Sequence, residues 1–304
     1  MSRAAAFSSY GGPDVLTLTE VDEPEAGPGQ VRVRVRAAGV QPVDCAIRSG
    51  WGPPGAPARF PMVVGNEFAG VVDQVGEGVD GFAVGSEVLG FQTLGSYAEY
   101  VVVPADQVVT KPAAMPWEVA GGFSGGAQTA HTTLTRLRVG AGDTVLIHAA
   151  AGAVGTVAVQ LARDWGATVI GTASEPNHDY LRSLGATPVT YGDGLVERVR
   201  VAAPQGVNAA LDAAGGDALH ASLELVKDRE RIGTIVEYER GPQLGIPFLR
   251  GQRSAARLTE LVDLYAAGRL RIHVRATFPL DRAADAHREV ERGHGRGKVV
   301  LTVD

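Results

Sequence analysis

The residues best suited to chemistry lie in a run of small side chains at residues 145–155, which reads VLIHAAAGAVG. The run begins as an apolar strand and continues into apolar residues at helical spacing. It follows the dinucleotide fingerprint G-x-G-x-x-G with alanine in the first place, and the helix that follows would offer its free N–H groups to a pyrophosphate. A tight turn without a ligand is the alternative. The predicted cofactor-binding residues of this turn are Ala150, Ala151, Gly152, Ala153, Val154 and Gly155.

The choice of cofactor depends on the end of the strand that follows, where Thr172, Ala173 and Ser174 stand. A carboxylate at this place binds the ribose hydroxyls of NAD and would repel the 2′-phosphate of NADP. Because no carboxylate ends the strand, the sequence favours NADPH. Glu175 lies about 20 residues beyond the fingerprint, where an acidic residue is often found, and therefore keeps NADH open. We interpret Glu175 instead as an acid at the start of a helix.

The elements that must position this turn change character along the chain. Valines alternate with arginines over residues 31–36, and short strand-like runs are separated by Gly and Pro clusters, which predicts a barrel-like β domain. From about Gly140, strands alternate with helices, which predicts a parallel sheet covered on both faces. After Gly241 this rhythm breaks, and a terminal strand begins near Gly297. The predicted organisation is a β domain at 1–115, an inserted dinucleotide-binding domain at 116–245 and a return segment at 246–304.

Composition excludes several classes of function. Lys and Arg total 28 and Asp and Glu total 34, so the net charge is 28 − 34 = −6. This mild acidity argues against nucleic acid as a partner, because such a partner needs a basic surface. No run of about 18 apolar residues is present, so we expect no membrane span and a cytoplasmic protein. The only cysteine, Cys45, excludes an intramolecular disulfide and any zinc site built on two thiolates.

Several short motifs follow one another over nearly the whole chain. They are Gly11-Gly12-Pro13, Gln41-Pro42-Val43-Asp44, and residues 64–70 (VGNEFAG), 97–101 (YAEYV), 128–130 (QTA), 149–155 (AAAGAVG), 184–186 (LGA) and 296–300 (RGKVV). With these motifs in this order, the chain resembles the medium-chain dehydrogenase/reductase superfamily. It is most similar to the zinc-free quinone oxidoreductase branch, related to zeta-crystallin, and to the enoyl reductase domains of fatty-acid and polyketide synthases. The resemblance implies an α/β fold in which a GroES-like β-barrel domain carries an inserted Rossmann domain with a doubly wound parallel sheet.

The resemblance also gives roles to residues outside the glycine turn. Thr129 matches a family threonine that lies by the cofactor. Ser174, Asn177 and Tyr191 hold the positions of contacts to the 2′-phosphate. Gln41, where the family often has Asn, is expected to donate a hydrogen bond to the substrate or to the ribose.

Asp44 is the other candidate catalytic residue, as a polar group near the nicotinamide. The alternatives are that Gln41 only caps the turn before Pro42 and that Asp44 is a helix N-cap. Arg296 and Lys298 are basic residues that could reach the adenosine end of the cofactor, with a place on the solvated surface as the alternative.

The resemblance further implies chemistry without a metal. Zinc-dependent relatives carry a catalytic Cys near the place of Asp44 and Cys45, a His at the place of Asn66 and a four-cysteine lobe, and this chain lacks that His and that lobe. Ionising an alcohol requires a Lewis acid, whereas an enolate formed by conjugate reduction requires only hydrogen bonds. The predicted function is therefore zinc-independent transfer of hydride from NADPH to an activated C=C bond or a quinone, in an enal, enone, enoyl thioester or quinone substrate.

Two further expectations accompany this function. Family likeness implies a homodimer formed through an edge of the Rossmann sheet, and a substrate pocket that uses loops such as residues 50–60. The alternative function is that of a non-catalytic NADPH-binding protein with a structural or regulatory role.

Overall fold

A computed structural model describes residues 1–52 and 59–304. Residues 53–58, which belong to the predicted pocket loop at 50–60, lie outside the described residues. Among the residues described, none of the helices has both the length and the apolar character that crossing a bilayer requires.

Strands are grouped towards the two ends of the chain and alternate with helices in the middle. The strands are β1 (Ser2–Phe7), β2 (Thr17–Val21), β3 (Gln30–Val40), β4 (Met62–Val63), β5 (Glu67–Val75), β6 (Glu87–Phe91), β7 (Tyr100–Pro104), β8 (Val108–Thr110), β9 (Thr144–Ile147), β10 (Thr168–Thr172), β11 (Thr187–Val189), β12 (Ala209–Asp212), β13 (Ile232–Thr234), β14 (Val274–Pro279) and β15 (Lys298–Thr302). The α-helices are α1 (Pro42–Arg48), α2 (Trp117–Gly121), α3 (Ser124–Arg136), α4 (Ala153–Asp164), α5 (His178–Leu184), α6 (Leu195–Ala202), α7 (Asp217–Leu225), α8 (Arg240–Gln243), α9 (Ala255–Ala266) and α10 (Ala283–Glu291).

The described residues form two compact units. The first contains Met1–Gly125, Arg253–Ala266 and His273–Asp304, and the second contains Gly126–Gln252 and Ala267–Ile272. The chain therefore builds most of the first unit, then the second, and ends in the first.

The first unit is built on β-sheets. Its main sheet has the strand order β14-β15-β3-β5-β6-β8, with β7 also paired to β3, and a smaller sheet has the order β2-β1-β4. On β3, Val31, Val33 and Val35 are buried and the arginines between them are more exposed, as the alternation predicts.

The last strand of the chain is part of the main sheet of the first unit. Strand β15 pairs antiparallel with β3, with Val299 opposite Val40 and Leu301 opposite Ala38. Because β3 also pairs with β5, the start of β15 is brought close to the start of β5. This proximity matters for the site, because each of these two strands begins with a charged residue.

The second unit contains a parallel sheet with the order β11-β10-β9-β12-β13. Its core joins apolar residues from neighbouring strands, among them Leu146, Ile170, Ala210 and Ile232. Helices follow the strands, which confirms the alternation expected from about Gly140 onward. All strands of a parallel sheet end at the same edge, so residues that follow them meet there.

Candidate active site

The small-residue turn joins β9 to α4 in the second unit. Gly152 is the N-cap residue of α4, and since it has no side chain, no cap covers the N–H groups of the first helical turn. A Cβ at Gly155 would lie 2.3 Å from the carbonyl oxygen of Ala149 and 2.6 Å from the Cα of Ala150. A larger residue would therefore push the helix away from the turn, which is the close packing expected of this glycine.

Ala149 gives this turn its shape. Its φ of 51° is a left-handed conformation that residues other than glycine rarely adopt. Its N–H donates to Thr172 Oγ1 at 3.3 Å, and its carbonyl accepts from the N–H of Gly152 at 2.9 Å. The N–H of Ala150 donates to the Thr172 carbonyl at 2.9 Å. These bonds hold the strained turn against the end of β10.

A buried chain of neutral groups continues from Thr172. The Ser222 hydroxyl donates to the carbonyl of Ala218 at 2.9 Å, so its oxygen accepts from His148 Nε2 at 3.0 Å. The other ring nitrogen, Nδ1, is then unprotonated and accepts from the Thr172 hydroxyl at 3.4 Å. Burial lowers the pKa of His148 to about 4, against the opposing charge of Asp212, so the ring is neutral near pH 7.

Asp212 and Thr234 end the strands β12 and β13. The Thr234 hydroxyl donates to Asp212 Oδ2 at 2.8 Å, and Oδ1 accepts from the N–H groups of Ala214 and Gly215 at 2.9 and 2.8 Å. Asp212 and Thr234 are not among the predicted site residues. The signal was present, because the apolar strands end in polar residues, as in VLIH, VIGT, AALD and RIGT.

The other predicted cofactor residues also lie in the second unit. Asn177 Nδ2 donates to Ser174 Oγ at 3.0 Å across a short 3₁₀ turn, so the structure brings these two side chains together. Tyr191 is 45% exposed on the loop that follows β11. Thr129 is half-buried on α3, and its Oγ1 lies 2.8 Å from the point where a Cβ on Gly251 would be.

Two further residues define the surroundings of these candidates. Glu175 is exposed and begins the 3₁₀ turn, in agreement with its interpretation as a helix-terminal acid. Arg198 fixes the loop that carries Tyr191, because its guanidinium donates to backbone carbonyls along that loop. These carbonyls belong to Thr190, Tyr191, Gly192 and Asp193.

In the first unit, a buried carboxylate organises the residues around the start of α1. The side chains of Glu67 and Lys298 are 0% and 3% exposed, and Glu67 Oε1 accepts from Lys298 Nζ at 2.5 Å. The same oxygen accepts from Gln41 Nε2 at 2.9 Å, and Oε2 accepts from the N–H of Gly125 at 2.6 Å. A Cβ at Gly125 would lie 2.0 Å from Gln41 Nε2, so only glycine leaves room for this amide. Both sequence interpretations of Lys298 are wrong, because it is buried against Glu67.

Gln41, held by Glu67, in turn orients the amide of Asn66. Its other Nε2 hydrogen is donated to Asn66 Oδ1 at 2.8 Å. Both hydrogens of the Gln41 amide are therefore engaged, and its side chain offers a ligand only the acceptor Oε1. Because Asn66 Oδ1 accepts from Gln41, its Nδ2 group points away from Gln41 and presents two donor hydrogens.

Asp44 is fully buried beside the same corner. Its Oδ2 accepts from the N–H of Gln41 at 2.8 Å and from the Tyr97 hydroxyl at 3.0 Å, and its Oδ1 accepts from the N–H of Gly65 at 3.3 Å. Burial raises the pKa of Asp44 to about 6, although the bonds from Gln41 and Tyr97 favour the ionised form. The N-cap of α1 is Gln41, and Asp44 closes the first turn onto it.

Comparison with known proteins gives this arrangement its family. Residues 27–113 match the alcohol dehydrogenase GroES-like domain, and residues 184–301 match the zinc-binding dehydrogenase family. A 2-haloacrylate reductase from Burkholderia sp is 33% identical, with 99% of each chain covered. This chain belongs to the medium-chain dehydrogenase/reductase superfamily.

Solved structures of this superfamily match the whole chain. The quinone oxidoreductase from Coxiella burnetii has a TM-score of 0.88 and 32% identity, covering 100% of this chain and 99% of its own. Escherichia coli quinone oxidoreductase, complexed with NADPH, has a TM-score of 0.86 and 28% identity, covering 99% of this chain and 100% of its own. The predicted superfamily and the predicted GroES-like and Rossmann folds are confirmed, and the chain is an oxidoreductase.

The zinc-binding dehydrogenase family raises the question of whether this corner fits a zinc ion. Burial raises the pKa of the Cys45 thiol to about 12, which opposes the thiolate that zinc requires. The Lys298 ammonium already binds Glu67, so a positive charge occupies the neighbourhood of that carboxylate. In residues 1–52 and 59–304, no group of three or more His, Cys, Asp or Glu side chains could hold a metal ion. The described residues of this corner do not fit zinc.

Proposed function

We propose that this chain is a zinc-independent oxidoreductase that uses NADPH to reduce an activated C=C bond or a quinone. The observation that carries the proposal is the uncapped start of α4 at Gly152, with Gly155 packed on Ala149. Such a turn leaves free N–H groups and a positive helix end for a pyrophosphate. The relatives support the acceptor class, because they are named for a quinone and a 2-haloacrylate, in which a C=C bond is conjugated with a C=O group.

We assign the pyrophosphate to the N–H groups of the first turn of α4, contributed by Ala153 and Val154. Ser174, Asn177 and Tyr191 are proposed contacts to the 2′-phosphate. Three features support NADPH over NADH: no carboxylate ends β10, Glu175 is exposed on the turn that follows, and Ser174 and Asn177 form a polar pair there. Thr129 remains a proposed cofactor contact on α3.

Bound NADPH would supply a hydride, so that the acceptor gains a hydride and a proton and two electrons in all. The chain then has to stabilise the negative charge that develops on the acceptor oxygen. Asn66 Nδ2 is oriented to donate to that oxygen, because Gln41 binds the opposite end of its amide and is itself held by Glu67 and, through it, Lys298. Such a fixed donor needs little reorganisation when the charge appears.

Gln41 and Asp44 have supporting roles in this proposal. Gln41 Oε1 is assigned as an acceptor for a ribose hydroxyl, because both Nε2 hydrogens are engaged. Asp44 orients the N-cap of α1 rather than protonating the product, because it is fully buried and both its oxygens are hydrogen-bonded. The proton is proposed to come from water.

The test is NADPH consumption with quinones and 2-alkenals measured side by side, with the products identified. Reduction of either class in zinc-free protein, giving a hydroquinone or a saturated carbonyl compound, supports the proposal. Binding of NADPH without oxidation by any acceptor would favour the non-catalytic role instead. An alcohol as product, or activity that is lost with zinc and restored by it, would overturn the proposed chemistry.

A separate measurement addresses the nucleotide. The ratio of kcat/KM for NADPH to that for NADH is expected to exceed one, and a ratio below one would assign Glu175 to the ribose. The homodimer and the cytoplasmic location remain predictions. Light scattering of the purified protein tests the homodimer. Fractionation of the source cells tests the cytoplasmic location.

A further inference from the structure

A half-buried arginine lies beside the corner formed by Gln41, Glu67 and Asn66 in the first unit. Arg253 Nη1 donates to the backbone carbonyl of Asn66 at 2.7 Å, and its guanidinium lies 5.5 Å from the centre of the Phe91 ring. Burial lowers the pKa of Arg253, while the charges of Glu67 and Asp44 oppose this shift. The group is therefore a partly desolvated cation held in one place by a backbone bond and an aromatic face.

Toward the described residues, 1–52 and 59–304, the Arg253 guanidinium makes one hydrogen bond, the bond to the Asn66 carbonyl. A guanidinium carries five N–H groups in a planar fork that matches a carboxylate. The Asn66 Nδ2 group, which points away from Gln41, adds a further donor on the same residue that anchors Arg253.

The nearest carboxylates do not use this fork. Glu67 is neutralised by Lys298 and by amide donors, and Asp44 is enclosed by Gln41, Gly65 and Tyr97. A purely structural arginine would be expected to donate its N–H groups to a carboxylate or to several carbonyls, as Arg198 does in the second unit. Arg253 instead resembles a receptor for an anion that arrives from outside.

We propose that Arg253 and the Asn66 amide form a carboxylate-binding site, so that the acceptor is a 2-enoate, an α,β-unsaturated carboxylic acid in its ionised form. This inference rests on the proposed function, because it names the acceptor that the same corner would hold. The guanidinium accounts for the acid selectivity, and the amide orients the carboxylate plane. A neutral enone or ester offers the guanidinium a carbonyl oxygen without a negative charge, so it gains less from the same donors than a carboxylate does.

Reduction of such an acid begins with hydride transfer. A hydride from NADPH forms a C–H bond at the β-carbon, the C=C π bond breaks, and its electron pair moves onto the carboxylate as an enediolate. NADPH becomes NADP⁺, and the α-carbon then takes a proton from water to give the saturated acid. Arg253 and Asn66 stabilise the additional negative charge on the carboxylate oxygens at the enediolate stage. A 2-enoate is a weaker electrophile than an enone, so it depends more on such donors.

The test compares an acid with its own methyl ester. For 2-chloroacrylate and methyl 2-chloroacrylate, kcat/KM is measured in the wild type, in Arg253→Gln and in Arg292→Gln. Arg292→Gln is a matched control in the same unit, because it also removes one positive charge and the Arg292 side chain is 77% exposed. In Arg253→Gln, kcat/KM for the acid is expected to fall about 50-fold, which is the range of a hydrogen bond to a charged group. The fold-loss for the ester is expected to be at least ten times smaller.

A second variant covers the case in which Arg253→Gln does not fold. Asn66→Asp places a negative charge where the carboxylate would bind, and it is expected to exclude the acid more strongly than the ester. Equal losses for acid and ester in both variants would overturn the proposal, because a donor to a neutral carbonyl or a structural arginine would affect both substrates alike. A loss of equal size in Arg292→Gln would also overturn it.

A binding measurement separates this inference from the proposed function. Calorimetry with the saturated acid 2-chloropropionate and its methyl ester requires no turnover. If no acceptor is reduced but the acid binds through Arg253, the proposed function fails and the carboxylate site stands. If quinones are reduced but the acid binds no better than its ester, the carboxylate site fails and the proposed function stands.

Discussion

The proposed acceptor corner of the first unit and the glycine turn of the second hold their buried polar residues by different means. In the first, the ion pair of Lys298 and Glu67 orients the amides around it. In the second, His148 and Thr172 belong to a chain of neutral hydrogen bonds. A buried charge interacts strongly but depends on its partner, whereas each link of a neutral chain contributes modestly. The proposed acceptor end is therefore ordered by charge, and the proposed nucleotide end by backbone geometry with neutral support.

Removing one ion should break this comparison most clearly. Lys298→Met leaves Glu67 buried without its cation, which is expected to lower the free energy of unfolding by about 3–5 kcal/mol. Urea denaturation of the wild type and the variant measures this loss. Acceptor reduction should fall as well, because Glu67, which binds Gln41 and through it orients Asn66, loses the cation that holds it.

Two controls show whether the loss comes from the unpaired charge. The double variant Lys298→Met with Glu67→Gln should recover part of the stability, because no buried charge remains. Arg269 is 56% exposed and pairs with Asp164. Arg269→Met removes this pair and should change the free energy of unfolding by about 1 kcal/mol or less. A Lys298→Met variant as stable as Arg269→Met would mean that the ion pair does not order the first unit.

The dependence of the unfolding free energy on pH should distinguish the buried His148 from the buried Asp44. The pKa of His148 is about 4 in the folded chain, below its ordinary value of 6.5. Above pH 6.5 neither state binds the proton, and as the pH falls through 6.5 towards 4 only the unfolded chain takes it up. Stability is lost over that interval, by roughly 2–3 kcal/mol. His148→Gln, which does not titrate, should lose less, as measured by urea denaturation across this range.

Asp44 gives the opposite slope. Its pKa is about 6 in the folded chain against an ordinary value of 3.8, so the folded state binds the proton more readily. Its contribution to stability is present below pH 3.8 and is lost as the pH rises through about 6. Asp44→Asn should remove this rise on acidification and make the acid loss from His148 steeper. If the stability of the wild type and of His148→Gln depends on pH in the same way between pH 6.5 and 4, the lowered pKa assigned to His148 is wrong.

The sequence predicted the second unit better than the first, for a physical reason. The turn at 145–155 is local, so its motif contains the strand end, the glycines and the helix start together. Glu67 and Lys298 lie 231 residues apart, and each is followed by an apolar run. Only the pairing of β15 with β3, and of β3 with β5, brings them into contact. No short-range pattern carries that information.

The same limit applies to the direction of hydrogen bonds. The sequence predicts catalytic roles for Gln41 and Asp44, with a cap before Pro42 and a helix N-cap as the alternatives. That the Gln41 amide is fully engaged as a donor follows from Asn66 and Glu67, which lie on a different strand and loop. Arg253 has no motif at all, and its significance arises from the carbonyl and the aromatic ring that hold it.

A smaller effect is expected from crowding the nucleotide turn. In Gly155→Ala the new Cβ would lie 2.3 Å from the Ala149 carbonyl oxygen, so α4 must shift. We expect a loss of about 1–3 kcal/mol in unfolding free energy, together with weaker NADPH binding in a fluorescence titration. Gly140→Ala is the control, because a Cβ there meets nothing within 4 Å. Unchanged NADPH affinity in Gly155→Ala would mean that the nucleotide does not depend on this turn.

The smallest effect should come from one link of the neutral chain. Thr172→Val keeps the shape of the side chain but removes the acceptor for the Ala149 N–H and the donor to His148 Nδ1. The free energy of unfolding should fall by about 1 kcal/mol, and NADPH should bind less tightly because the left-handed Ala149 is less firmly held. Thr187→Val, at an exposed position on the adjacent strand β11, is the control. If the two variants behave alike, neutral hydrogen bonds do not support the turn, and the contrast between the two units would rest on the charges of the first alone.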